Sequence, residues 1–145
     1  MTEIAFHFNV PDKLAYSCRL LRKVYASGAQ VVVTGEMNLL NQLDRLLWSF
    51  SATEFVPHCR VDAVPQKLAV TPILLAESVA GCPYFGVLVN LGQGVPAEFE
   101  RFERFIEVVT QVEDERLTAR SRWKHYTDRG YVMKRYDHAS AGEGV

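Results

Sequence analysis

Arg116, Arg120, Trp123 and Thr127 recur at steps of three and four residues, which puts them within about 60° of one another on a helix. Two guanidiniums and an indole on one stripe can grip a carboxylate in a bidentate fork and wall it with an apolar ring. Between residues 116 and 136 the chain carries Arg116, Arg120, Arg122, Lys124, Arg129, Lys134 and Arg135 against Asp128 alone. The chemistry this points to is anion recognition, of an acidic peptide or a nucleic-acid backbone. The competing reading is a solvated helix with Trp123 packed into the core.

A second concentration of chemistry lies at Leu46-Leu47-Trp48-Ser49-Phe50, followed by Glu54-Phe55-Val56-Pro57-His58. Large aromatics at the end of one element and the start of the next suit a partner anchor. At about 100° per residue, Trp48 stands beside Met37 and Asp44, away from the stripe of Leu40, Leu43, Leu47 and Phe50. Ordinary core packing competes with this reading, more strongly for Phe55 than for Trp48.

Catalytic patterns do not match these two. Thr34-Gly35-Glu36 joins a strand to a helix, where free N–H groups can hold an anion. A single glycine is not a phosphate-binding loop, and Glu36 would repel phosphate. The chain has no Walker motif, no G-x-G-x-x-G and no G-x-S-x-G. His58 and Cys59 are adjacent, so on a strand they face opposite ways, and His7, His125 and His138 are scattered. Cys82, before Pro83 in a loop, is the one thiol with a case for reactivity, against the inert small hydrophobe that most cysteines are. Glu98, Glu100, Glu103 and Glu107 interleave with Arg101 and Arg104 and read as a solvated face. The expectation is a chain with no catalytic site of its own, no metal and no cofactor.

These residues must be positioned by a framework that 145 residues can supply as one domain, with a core large enough to need no disulfide or metal. Hydrophobic residues make up 48% and charged residues 23%, as in ordinary globular chains. The net charge of −1 gives no global field toward nucleic acid or acidic membranes. Three cysteines (Cys18, Cys59 and Cys82) without paired spacing fit free thiols in a reducing compartment. No signal peptide is visible, and no apolar run approaches the roughly 20 residues of a membrane span. A cytosolic protein is expected.

Ile4, Phe6, Phe8 and Val10 alternate with polar or small residues and predict a strand. Pro11-Asp12 opens a helix with Leu14, Cys18, Leu21 and Tyr25 on one face, stopped by Ser27-Gly28-Ala29. A buried strand follows at 30–34, then a helix over 36–50. Phe55-Val56 suggests a short third strand, with 59–71 irregular. Strands are expected at 72–77, 85–91 and 105–109, and a helical turn at 97–101. A final helix runs from the acids at 113–115 to Arg129, before Gly130. The expected organisation is a single α/β domain over 1–136 and a flexible tail over 137–145. The expected fold is a three-layer α/β/α sandwich on a mostly parallel sheet, Rossmann-like without a phosphate-binding loop.

Several of these segments together resemble the chi-subunit family of bacterial DNA polymerase III holoenzyme, small accessory proteins of the clamp loader. The resemblance covers nearly the whole chain. It rests on Ala5-Phe6-His7-Phe8, Leu43-Asp44-Arg45-Leu46-Leu47-Trp48-Ser49-Phe50, Glu54-Phe55-Val56-Pro57-His58, Arg120-Ser121-Arg122-Trp123-Lys124-His125-Tyr126 and Gly130-Tyr131. It implies an α/β fold without nucleotide chemistry and a non-catalytic bridging role in DNA replication. One surface, matching Trp48 and Phe55 with Val56 and Pro57 beside them, would hold the psi subunit of the clamp loader. The other, matching Val109, Arg116, Arg120 and Trp123, would hold the acidic C-terminal tail of single-stranded-DNA-binding protein, which ends in Pro-Phe. The family pattern has Lys at the position of Arg116 and Tyr at that of Trp123; both differences keep the charge or the ring. The resemblance implies a cytoplasmic protein at the nucleoid-associated replisome, with indirect contact to single-stranded DNA and no membrane. The alternative is direct nucleic-acid binding by the basic final helix.

Overall fold

A computed structural model describes residues 2–49, 57–60, 71–79 and 82–138. The elements in chain order are β1 (Glu3–Val10), α1 (Lys13–Ala26), β2 (Val31–Thr34), α2 (Met37–Ser49), β3 (His58–Arg60), β4 (Ile73–Ala76), β5 (Val87–Asn90), a 3-10 turn (Phe99–Arg101), β6 (Arg104–Thr110), α3 (Glu113–Asp128) and β7 (Met133–Asp137). The seven strands form one sheet in the order β3-β4-β2-β5-β6-β1-β7, with every pairing parallel.

The centre of the sheet follows from composition. β2, β4 and β5 read Val-Val-Val-Thr, Ile-Leu-Leu-Ala and Val-Leu-Val-Asn, and every residue in them is buried. Parallel strands covered on both faces need apolar side chains on both. α1 and α2 pack one face through Cys18, Leu21, Leu40, Leu43 and Leu47 against Val31, Val33, Ile73, Leu75 and Val89. α3 and the 3-10 turn pack the other through Ala119, Tyr126 and Phe99 against Val32, Leu74, Leu88, Phe105 and Ile4. The result is the expected α/β/α sandwich.

Local chemistry sets the element ends. The Asp12 carboxylate caps α1, accepting from the Ala15 N–H at 3.1 Å. Gly130, at φ 85°, turns the chain out of α3 into β7 through a left-handed step that suits glycine. At Gly86 a Cβ would sit 2.8 Å from the Gln30 carbonyl oxygen, so only glycine lets the chain enter β5 this close to β2.

The structure departs from the sequence reading at four places. The described third strand is His58–Arg60, so Cys59 and Arg60 are not irregular, while Phe55 and Val56 lie outside the described residues. Tyr25, expected on the buried face of α1, is 37% exposed, because the helix turns Ser17, Cys18, Leu20, Leu21 and Val24 inward instead. β7 had no expected counterpart; it adds to β1 in register from Ile4–Met133 to Phe8–Asp137. The tail expected from Asp137 therefore starts later. Asp137 closes β7, and His138 meets the Tyr16 hydroxyl at 3.1 Å; residues 139–145 lie outside the described residues.

Candidate functional site

β1, β6, β7 and α3 meet around a cleft of about 330 Å³ at one edge of the sheet. Val109 from β6, Arg116, Arg120 and Trp123 from α3, Phe6 and Phe8 from β1, and Arg135 from β7 all line it. The four residues of the sequence-derived tail site are thus brought together. Trp123 is half-buried and makes an edge contact with Phe6 at 5.0 Å between ring centroids. It is both a packed ring and a wall of the cleft, so the two readings of this residue were not exclusive. Arg116 and Arg120 are exposed at the rim, and among the described residues neither has an ion-pair partner.

Phe6 and Phe8 were read only as strand residues and Arg135 only as part of the basic field, so their place at this cleft was not foreseen. The Arg135 guanidinium lies 4.9 Å from the Phe8 ring centre and 5.8 Å from that of Trp123, within range for cation–π attraction. Register explains the gathering: Phe6 on β1 is level with Arg135 on β7 and Glu107 on β6. The pairing with β1 shifts between His7 and Val10, and Asn9 there adopts φ 59°, a bulge at the mouth of the cleft. Asn9 Nδ2 donates to Asp137 Oδ1 at 2.9 Å and ties the bulge to β7.

What aims α3 lies beneath it. Glu107, read from sequence as part of a solvated face, is fully buried, and Arg122, read as part of the basic field, is 3% exposed. Arg122 Nε donates to Glu107 Oε2 at 2.9 Å, the Tyr126 hydroxyl donates to the same oxygen at 2.6 Å, and Asn90 Nδ2 donates to Oε1 at 2.9 Å. Arg122 also donates to the Gln93 carbonyl at 2.7 Å. Burial pushes the Glu107 carboxyl above its ordinary range, opposed by the Arg122 charge and by hydrogen bonds from Tyr126, Arg122 and Asn90. Burial, and then the Glu107 charge, raise the Tyr126 hydroxyl. With Arg122 locked inward, Trp123 one residue on is turned about 100° to the side, and Arg120 and Arg116 follow one and two turns back. Lys124, also counted in the basic field, pairs with Asp128 at 3.2 Å.

The second sequence-derived surface lies at the far edge of the sheet. Trp48 is 61% exposed at the end of α2, with Leu46 in the same turn and Met37 at the start of the helix also exposed. Its indole meets the buried His58 ring edge-on at 5.1 Å, and His58 Nε2 lies 3.0 Å from Asp44 Oδ1. Pro57 is half-buried; Phe55 and Val56 lie outside the described residues. β3 and β1 are five strands apart in the sheet order, roughly 24 Å at about 4.8 Å per step.

The remaining candidates resolve simply. Cys18 and Cys82 are buried free thiols, and burial pushes Cys18 up to about 11 and raises Cys82. Among the described residues no three His, Cys, Asp or Glu side chains gather as metal ligands. The cleft at the carboxyl ends of β2, β4 and β5 is lined by Glu36 and Glu77. No helix among the described residues is long and apolar enough to cross a membrane.

Fold and site together define an all-parallel α/β sandwich carrying a cationic, aromatic cleft on a sheet edge. The family model described as DNA polymerase III chi subunit, HolC, matches residues 1–134, and the chain belongs to that family. It is also similar to the DNA polymerase III subunit chi of Pseudomonas aeruginosa, 28% identical over 140 residues that cover 92% of this chain and 95% of the relative. Membership makes it a DNA polymerase III subunit, associated with the holoenzyme in an accessory role in DNA replication.

Proposed function

We propose that the chain is a non-catalytic bridge that holds the psi subunit of the clamp loader at one sheet edge and the acidic tail of single-stranded-DNA-binding protein at the other. The observation that carries this reading is the convergence of Arg116, Arg120, Trp123 and Val109 on one cleft. The two guanidiniums would take the tail's side-chain and terminal carboxylates, and Trp123 and Val109 would enclose its last phenylalanine. Each charge-assisted bond contributes about 1.5–3 kcal/mol in a favourable site, less where solvent reaches it, so binding is moderate and salt-sensitive. Psi would dock on the exposed Trp48, with Phe55, Val56 and Pro57 beside it. The separation of β3 from β1 supports simultaneous occupancy.

The test is a pair of reciprocal variants. Arg120→Ala is expected to weaken tail-peptide binding at least about tenfold and leave psi co-purification intact. Phe55→Ala is expected to release psi and spare the peptide. Joint loss of both partners in either variant, with the fold intact, sinks the two-site reading. The basic final helix makes a poorer nucleic-acid surface than its composition suggested, because Arg122 and Lys124 are paired within the protein.

A further inference from the structure

A second cleft, of about 390 Å³, lies on the opposite, α1 side of the same β1–β7 edge. Residues level with one another on neighbouring parallel strands face the same way. Arg104 level with Glu3, Lys134 level with Ala5, and Tyr136 level with His7 therefore share this face. Lys23 joins them from the last turn of α1. Three cations thus arrive from three elements, and none of their side chains has an ion-pair or hydrogen-bond partner among the described residues. Glu3 is the acid among the lining residues.

The other wall is aromatic and held rigid. The Tyr16 hydroxyl bonds to His7 Nδ1 and, at 3.1 Å, to His138 Nε2. The Tyr136 ring, 47% exposed, lies 5.0 Å from that of His7. Burial first, and then His138, Lys23 and Arg104 nearby, lower His7 to about 4. The three cations outnumber Glu3, and what the cleft offers beside the charge is a flat ring.

We propose that this cleft binds a nucleotide step of single-stranded DNA, with backbone phosphates on Lys23, Arg104 and Lys134 and a base stacked on Tyr136. A volume of about 390 Å³ admits a nucleotide-sized group and no folded partner. The acidic peptide is assigned above to the cleft on the other face of β1 and β7, and a duplex hides its base faces. Alternating cations and an aromatic platform are the means by which proteins hold single strands without sequence preference. The chain's place in replication puts such strands around it. This contact is independent of the tail cleft, which uses the other face of β1 and β7.

The test is fluorescence anisotropy of a labelled oligothymidylate of about 15 nucleotides with the full chain. About three phosphate contacts give a log–log salt slope of about −2, a loss of roughly 15- to 20-fold between about 50 and 200 mM salt. Lys134→Glu and Lys23→Glu are each expected to weaken binding at least about fivefold and to reduce the slope by about 1. Tyr136→Leu is expected to weaken binding about fivefold to 100-fold, with Tyr136→Phe close to the parent. Arg120→Ala should leave it unchanged. These side chains are exposed, and Lys134→Gln and Lys23→Gln replace any charge reversal that lowers the melting temperature. The proposal is overturned by the absence of binding at low salt, or by binding that Arg120→Ala abolishes and Lys134→Glu spares. It is equally overturned if Lys134→Glu weakens an acidic peptide and not the oligonucleotide.

Discussion

Helix α3 carries arginines of two kinds within two turns. Arg122 is buried to 3% and its charge is consumed by Glu107, whereas Arg116 and Arg120 stand at the rim of a cleft with no counter-charge among the described residues. The residue type and the helix are the same; only the direction from the axis differs. The difference teaches that a run of basic residues is not a basic surface. The inward arginine holds the helix in place, and the outward pair is left available to an external anion.

The comparison breaks most visibly at Arg122. Arg122→Ala leaves the Glu107 carboxylate buried beside Tyr126 and Asn90 without its counter-charge, and is expected to cost about 3–5 kcal/mol in urea denaturation. Replacing the pair together by Arg122→Met and Glu107→Leu should recover most of that loss. A double variant no more stable than Arg122→Ala would show that the loss does not come from an unpaired Glu107 charge.

Arg120→Ala is the outward counterpart. Stability should change by less than about 0.5 kcal/mol, while tail-peptide affinity falls by about 1.5–3 kcal/mol, measured by calorimetry. A stability loss comparable to that of Arg122→Ala would erase the distinction between the two arginines.

His7 extends the comparison to a half-buried group whose hydrogen-bond partner, Tyr16, is uncharged and whose charged neighbours are cations. Its value in the fold is about 4, below the ordinary 6.5, because burial and then His138, Lys23 and Arg104 oppose its protonation. The unfolded chain therefore binds the proton more readily. This contribution to stability is complete above about pH 6.5 and is lost as pH falls toward 4, by about 1–2 kcal/mol after allowing for partial exposure. His7→Gln should flatten the acid limb of a pH–stability curve over that interval; an unchanged limb would assign it to other groups.

Arg135 carries the smallest expected effect. It is outward-facing but already stacked near Phe8 and Trp123. Arg135→Ala should weaken the tail peptide about two- to fivefold, less than Arg120→Ala, in the same calorimetric titration.

How far each element was legible depended on how strongly one environment constrained it. The central strands, buried on both faces, announced themselves as continuous apolar runs, and the start of α1 and the end of α3 followed from Asp12 and Gly130. β7, Met-Lys-Arg-Tyr-Asp, is an edge strand with mostly exposed residues, so no apolar alternation marks it. α3 was legible as a helix but not in its orientation, because its buried residues are Ala119, Arg122 and Tyr126 and no leucine stripe declares the inner face. The stripe of Arg116, Arg120 and Trp123 was readable from spacing alone. Phe6 and Phe8, which help complete the cleft, come from a strand more than a hundred residues earlier and carried no signal pointing to α3, while Arg135 was counted in the basic field with nothing to mark its direction.

Local patterning, in short-range periodicity and end signals, thus decided that the chain is an α/β protein with an exposed Trp48 and a cation–aromatic stripe on its last helix. Tertiary structure alone decided that Glu107 and Arg122 neutralise each other. It also put the two candidate docking surfaces at opposite edges of a seven-stranded sheet and let β7 present Arg135 to one cleft and Lys134 and Tyr136 to another. The physical reason is that charge is spent or kept according to what a side chain faces after packing. Strand order and register set those faces through contacts between residues a hundred or more positions apart.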